Sequence, residues 1–440
     1  MKPACTALTL SLIAANLIAS PATAKLSAPE TAMTRTVDAE YERSVALLEK
    51  LVNQNSGTLN LPGVEAVGKM MRAELEPLGF AVTWIPQGAA KRAGHLVATH
   101  AGKPGTKKLL LIGHLDTVFE PDSGFLKFER QGDKAKGPGA GDDKGGMVVM
   151  VAALRAMQAA GTLKAANIEI QLTGDEEDSG DPLTVSRKDL IAAGKRADVA
   201  LDFEGLIVID GQDWGSIARR SAGSWTVKAT GKSAHSSGVF SKDAGYGAIY
   251  ELARILDTFR RELPETNLTY NVGLIAGGQT ATLDAGQVRA EATGKTNIIA
   301  PIAVAKGDLR ALSNDQIART QAKMRAIVEQ HLPGTGATLS FDEGYPAMAP
   351  TPGNTALLTR LNAVNADLGL KAMPALDPLK RGAGDIAFVA EDVDGLVGLG
   401  TDSDGDHTPR ETVDLASIKR QAKRAAILMT RLSAERPTAK

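Results

Sequence analysis

Leu109-Leu110-Leu111-Ile112-Gly113-His114-Leu115-Asp116 opens the stretch that decides the fold, and Gly139-Ala140-Gly141-Asp142-Asp143-Lys144-Gly145-Gly146 closes it. The first segment begins as a short apolar run, the signature of a parallel strand buried on both faces. The run ends at Gly113, so His114 and Asp116 project from the strand's carboxyl end, where open α/β sheets place their ligands. Two residues apart, they share one face of an extended chain. Asp116 is then placed to orient the imidazole of His114 and leave its other nitrogen for a metal. The second segment is a glycine-rich loop that carries Asp142 and Asp143 to the start of a helical run, MVVMVAALRAM. His-x-Asp alone would equally suit a surface turn. Followed 28 residues later by Asp-Asp-Lys-Gly-Gly, it is far more specific.

Composition sets the outer bounds. A chain of 440 residues fits two or three average domains, or one large α/β unit with an insertion. With 43% hydrophobic and 23% charged residues it is ordinary globular material. A net charge of −1 argues against a nucleic-acid footprint and against general attraction to anionic membranes. At the N-terminus, Lys2, an apolar stretch over 7–18 and Ala22-Thr23-Ala24 have the form of a secretory signal peptide cut after Ala24. The alternative is an uncleaved anchor, for which the apolar run is short. The only cysteine, Cys5, lies inside this segment, so the cleaved chain would hold neither a disulfide nor a thiol nucleophile. The expectation is an exported protein, periplasmic or secreted, with no membrane association after cleavage.

Along the chain, 25–37 reads as a polar leader, 38–54 and 63–77 as helices, and 80–85 and 95–99 as strands. His95 and His100 flank the last of these without a partner at ligand spacing and read as structural. The apolar strand 167–172 runs into Asp175-Glu176-Glu177. Adjacent glutamates are ordinarily a solvated pair. At the end of a buried strand their side chains diverge, so one could bind a metal while the other faces a substrate. After a helix over 185–193, strand 198–203 ends at Glu204, with Asp202 on the same face as the other candidate. From Arg219 the character changes: a strand over 224–230, a helix from about 243 and strands over 268–274 and 303–312. A capping-box helix over 313–328 follows. This is a small α+β layer set into the larger unit. Residues 341–347 lead back, 352–368 is helical, and a last helix starts near 414. The acidic run 402–406 lacks the glutamate a calcium loop carries at its twelfth position. His331 has no ligand context.

Several of these segments together resemble the M20 metallopeptidase family (M20/M25/M40, glutamate-carboxypeptidase-like). They are His-x-Asp, Asp-Asp-Lys-Gly-Gly, the Glu176-Glu177 pair, ADVALDFEG over 197–205, TGKSAHSSG over 230–238, the loop 381–385 and the 407–411 segment. The resemblance covers nearly all of the chain beyond residue 24. It departs from the family at Arg381-Gly382-Ala383, where glycines are frequent.

The resemblance implies an α/β zinc-exopeptidase-type catalytic domain, a mostly parallel sheet flanked by helices, with an inserted α+β lid that often dimerises. Divisions follow as a signal peptide over 1–24, a catalytic domain over 25–218 and 338–440, and a lid over 219–337. It implies two zinc ions, with cobalt or manganese as substitutes, held by His114, Asp142, Glu177, Glu204 and His407. Asp142 would bridge, His114 and Glu204 would take one ion, and Glu177 and His407 the other. The absence of thiolate from this set independently suits zinc. Glu176 would be the general base and Asp116 the residue that orients His114. His235 would stabilise the oxyanion, in dimeric members from across the interface, and Asn297 and Arg310 would grip a substrate carboxylate. The implied activity is release of a C-terminal amino acid from a small peptide or N-acyl amino acid. An N-acyl-amino-acid deacylase or dipeptidase on the same scaffold is the alternative. A binding protein that kept the fold without catalysis would usually have lost Glu176 or a ligand.

Overall fold

Apolar residues separate into two bodies of core, one around a mixed sheet and one within the insertion. The computed structural model describes residues 26–437; the expected signal peptide lies outside them. Five strands of the main sheet are β1 (Ala81–Pro86), β2 (Gly94–His100), β3 (Lys108–His114), β4 (Asn167–Thr173) and β5 (Val199–Asp202). The insertion's four-stranded sheet holds β6 (Gly223–Gly231), β7 (Thr269–Gly278), β8 (Ile302–Arg310) and β9 (Thr335–Phe341), and β10 (Gly395–Val397) returns to the first sheet. Its order is β1-β2-β4-β3-β5-β10. The four strands from β4 to β10 run parallel, and β1 and β2 add on antiparallel.

β3 lies between β4 and β5, which explains its unbroken apolar run. Leu109 and Leu111 enter the core on one face, Leu110 and Ile112 the core on the other, and all four are essentially inaccessible. Burying each is worth about 1.5–3 kcal/mol relative to exposure. Helices cover both faces. α1 (Ala28–Ala39), α2 (Tyr41–Val52), α3 (Leu61–Leu75) and α4 (Lys144–Ala159) contribute to the larger core, and α5 (Lys188–Arg196) packs on the other side. Within the insertion, the sheet β7-β8-β6-β9 stacks on α6 (Ala248–Glu262) and α7 (Asn314–Val328). α8 (Pro352–Asp367) and α9 (Leu415–Ser433) complete the first body. No described helix is long and apolar enough to cross a membrane.

Three expectations need correction. Residues 28–39 are helical rather than a leader: Ser27 and Glu30 form a reciprocal capping box and Met33 and Val37 are buried, while the chain breaks at Glu40 before α2 begins. α6 starts at Ala248, not near 243, because Gly245 and Gly247 take positive φ ahead of it. Its buried stripe is Leu252, Ile255 and Phe259, with Ile249 left half-exposed. Finally, β9 pairs with β6 from Gly231↔Thr335 to Trp225↔Phe341. The lid sheet therefore runs through Phe341, past the boundary expected at 337.

Candidate metal centre

The carboxyl ends of β3, β4 and β5 open onto a cavity of about 320 Å³. β3 delivers His114, almost fully buried, with Nδ1 at 3.2 Å from the Asp116 carbonyl and 3.4 Å from its Oδ1. The other nitrogen, Nε2, lies 3.0 Å from Asp142 Oδ1. The second oxygen of the same carboxylate, Oδ2, lies 3.0 Å from His407 Nε2. His407 Nε2 is in turn 3.2 Å from Glu177 Oε2. Asp142 thus stands between two imidazoles with one oxygen turned to each. Ligand atoms of His114, Asp142 and Glu177 all fall within 4.8 Å of one another.

Glu411 holds the Asp142 loop. Its buried carboxylate accepts from the backbone N–H of Gly139 (3.2 Å), Gly141 (2.8 Å) and Asp142 (3.2 Å), and burial pushes its carboxyl up to about 8. Asp143 turns inward to accept from the His114 N–H at 3.2 Å. The glycines are steric: a Cβ at Gly146 would lie 2.0 Å from the Phe203 carbonyl, so the helix start could not approach the end of β5.

Asp116 does more than orient a ring. Its Oδ1 accepts from the Glu176 N–H (3.0 Å), and its Oδ2 from the Glu177 N–H (3.1 Å) and the Thr58 hydroxyl (2.6 Å). One carboxylate therefore fixes the imidazole and the turn that carries both glutamates. Behind that turn the buried Arg187 guanidinium bonds Asp385 (2.8 Å), the Asp175 carbonyl (2.9 Å) and the Tyr345 hydroxyl (2.7 Å), and pairs with the Asp175 carboxylate. The Tyr345 hydroxyl donates to the Glu176 carbonyl at 2.8 Å.

Burial and the nearby Glu204 raise the Glu176 carboxyl well above the ordinary carboxylate range. Burial takes Glu177 up to about 7. Hydrogen bonds to the carboxylates of Asp142 and Glu177 hold His407 up at about 11, while against burial the two imidazoles hold Asp142 well below its usual range. These groups hold protons between them that a divalent cation would displace. Glu177 Oε1 is buried and has no hydrogen-bond partner among the described residues. A donor set of two imidazoles and two carboxylates, with one oxygen orphaned, fits a divalent ion such as zinc. His407 sits at φ +61°, an uncommon left-handed conformation for a non-glycine residue, held in the turn that aims its ring at Asp142.

Residues 110–431 match the profile of peptidase family M20/M25/M40. This chain belongs to that family. Family M20 comprises metallopeptidases and related hydrolases. Among curated relatives, the M20 protein is 28% identical to carboxypeptidase G2 of Pseudomonas sp. (strain RS-16) over 403 residues, 90% of each chain. It is 35% identical to succinyl-diaminopimelate desuccinylase of Novosphingobium aromaticivorans over 198 residues, 43% of this chain and about half (51%) of that enzyme. Among solved structures, a tripeptidase from Staphylococcus aureus superposes with a TM-score of 0.67 at 19% identity, over 90% of this chain and 99% of that one, a likeness of fold.

Two parts of the expected site are arranged differently in this M20 protein. Glu204 rather than Asp202 lines the cavity, yet its carboxylate is met by guanidinium groups, Arg219 at 2.5 Å and Arg381 at 3.6 Å. Asp202 Oδ1 instead accepts from the Glu204 N–H (3.1 Å). The lid residues His235, Asn297 and Arg310 do not line the cavity. His235 is exposed, bonded to the Ser237 hydroxyl at 2.8 Å and bridged through its backbone to Ile298, which places it beside Asn297. Arg310 lies at the far end of β8 from them, opposite Thr269 and close to the junction where Ser221 and Ala311 bond.

The residues that sequence reasoning missed are Glu411 as clamp, Arg187 as brace, and Arg219 with Arg381 as counter-charges. For Glu411 there was a signal, the His-x-x-x-Glu spacing. Of the arginines only Arg381 carried one, a charged residue beside Gly382; Arg187 and Arg219 carried none.

Proposed function

We propose that this M20 protein is an exported metallohydrolase that releases a C-terminal amino acid by cleaving an amide bond beside a free carboxylate. The observation that carries the reading is Asp142 set between His114 and His407, with Glu177 in contact and Glu176 one residue away. His114, Asp142, Glu177 and His407, with Glu204 across the cavity, would hold two divalent ions, zinc first. Such a pair, when bound, lowers the pKa of water and polarises a carbonyl. Glu176, half-buried on the turn next to Glu177, would take the proton of the attacking water and pass it to the leaving amine. Asp116 keeps the Glu176 turn and the His114 ring in register during that transfer. Arg310 and Asn297 hold the substrate carboxylate, and His235 donates to the developing oxyanion.

His235 and Asn297 sit at one end of β8 and Arg310 at the other, so this reading takes the first two from the lid of a second copy. The lid's edge strand supports that: among the described residues β7 is unpaired on one side, and it exposes Val272 and Ile275, with Tyr250 of α6 also exposed. Mass spectrometry of the exported protein tests both claims. Denatured, it should show a chain starting at Lys25; native, a dimer. A monomer, or an uncut chain, would count against the corresponding part. The second reading, an N-acyl-amino-acid deacylase or a dipeptidase on the same scaffold, is favoured by the desuccinylase relative. Amino-acid release by the zinc-loaded protein separates them, with dipeptide, N-acyl and benzoyl substrates each offered with a free and an amidated C-terminus. Release only from free-carboxylate substrates supports the proposal and ranks the acyl groups. Equal release from amidated substrates overturns it.

A further inference from the structure

The two halves of the metal cavity set their carboxylates against different basic partners. On one side stand the carboxylates of Asp142 and Glu177 with the imidazoles of His114 and His407. On the other, the carboxylates of Asp202 and Glu204 face the guanidinium groups of Arg219 and Arg381, so their charges cancel. Neither arginine depends on Glu204 for its position. Arg219 Nε donates to the Gly382 carbonyl at 2.8 Å, with a second bond to Ala383, and Arg381 Nη1 donates to the Gly205 carbonyl at 2.8 Å. Both are buried, 5% and 7% exposed. The loop closes over them: a Cβ at Gly384 would lie 2.1 Å from Arg219 Nη1 and 2.4 Å from Glu204 Oε1. Arg381 Nε has no acceptor among the described residues. A divalent ion entering on the Glu204 side therefore meets two buried guanidinium groups, which cannot serve as ligands, whereas the carboxylates of Asp142 and Glu177 face imidazoles, which can.

We propose that Arg381, together with Arg219, makes the Glu204 side the weaker of two metal positions, so the centre fills in two separate steps. Arg381 is the positioning residue that sets the gap. The inference rests on the metal-centre reading above but is independent of the substrate. Its test is a calorimetric Zn²⁺ titration of the metal-free full-length protein, with bound zinc counted by elemental analysis. The wild type should take its first ion roughly tenfold or more tighter than its second. Arg381→Met, which keeps the length of the side chain without its charge, should bring the second step about tenfold closer and leave the first in place. Arg381→Lys should restore the gap, an outcome that a purely structural role would not produce. Two ions of equal affinity in the wild type would overturn the proposal, as would an Arg381→Met protein with native circular dichroism and an unchanged gap. If Arg381→Met fails to fold, the wild-type and lysine titrations still decide between the outcomes. No zinc bound at all would contradict the metal-centre reading itself, a different failure from two equal sites.

Discussion

Glu176→Gln is expected to lower turnover by about 10²- to 10⁴-fold, the range a positioned general base contributes, while bound metal stays near the wild-type amount. At 1.36 kcal/mol per decade this is a loss of about 3–5 kcal/mol of transition-state stabilisation. The two effects separate because of how the side chain is held. The backbone N–H and carbonyl of Glu176 are fixed by Asp116 and Tyr345, and neither bond involves the carboxyl being replaced. Glutamine keeps the shape and removes the proton acceptor. The neighbouring Glu177, which contacts His407, is untouched. Steady-state kinetics and elemental analysis on one preparation check this. A variant that loses its metal together with its activity would place Glu176 among the ligands and remove the base assignment.

The second large effect is expected at Asp142. Both imidazoles lie 3.0 Å from its carboxylate, one on each oxygen, so Asp142→Ala removes the group common to both halves of the centre. Loss of an outer partner of a metal ligand alone costs 10- to 100-fold in affinity. Loss of the central carboxylate should exceed roughly 100-fold and leave the protein without metal after dialysis. Activity should fall to background with no change in secondary structure, because the loop stays tied by Glu411 through backbone N–H groups, which alanine retains. Elemental analysis with far-UV circular dichroism reads both. Retention of two ions by the variant would show that Asp142 is no bridge.

What could be read from the chain alone was what is local or periodic. β3 was legible because a strand paired on both sides and covered on both faces must be apolar throughout. The Asp142 loop was legible because its glycines admit close backbone approach and its carboxylates lie in sequence. α1 was missed although Ser27 and Glu30 spell a capping box, because its buried stripe is only Met33 and Val37, too thin a pattern beside a polar surface. The end of the lid was misplaced by four residues, since β9 alternates in burial over 337–341, across the expected boundary, and nothing local marks which sheet it joins. The long-range clamps were the hardest. Glu411 meets its loop across 272 positions, and Arg219 meets Gly382 across 163. No helix or strand period connects residues so far apart. The pairing of Glu204 with arginine was invisible for the same reason.

Anomalous diffraction at the zinc edge, from crystals of the full-length protein soaked in zinc, tests the central claim most directly. A peak is expected among His114, Asp142, Glu177 and His407, with Asp142 in contact with every ion in the cavity. Zinc bound elsewhere, or a cavity that stays empty while the protein hydrolyses its substrate, would contradict it.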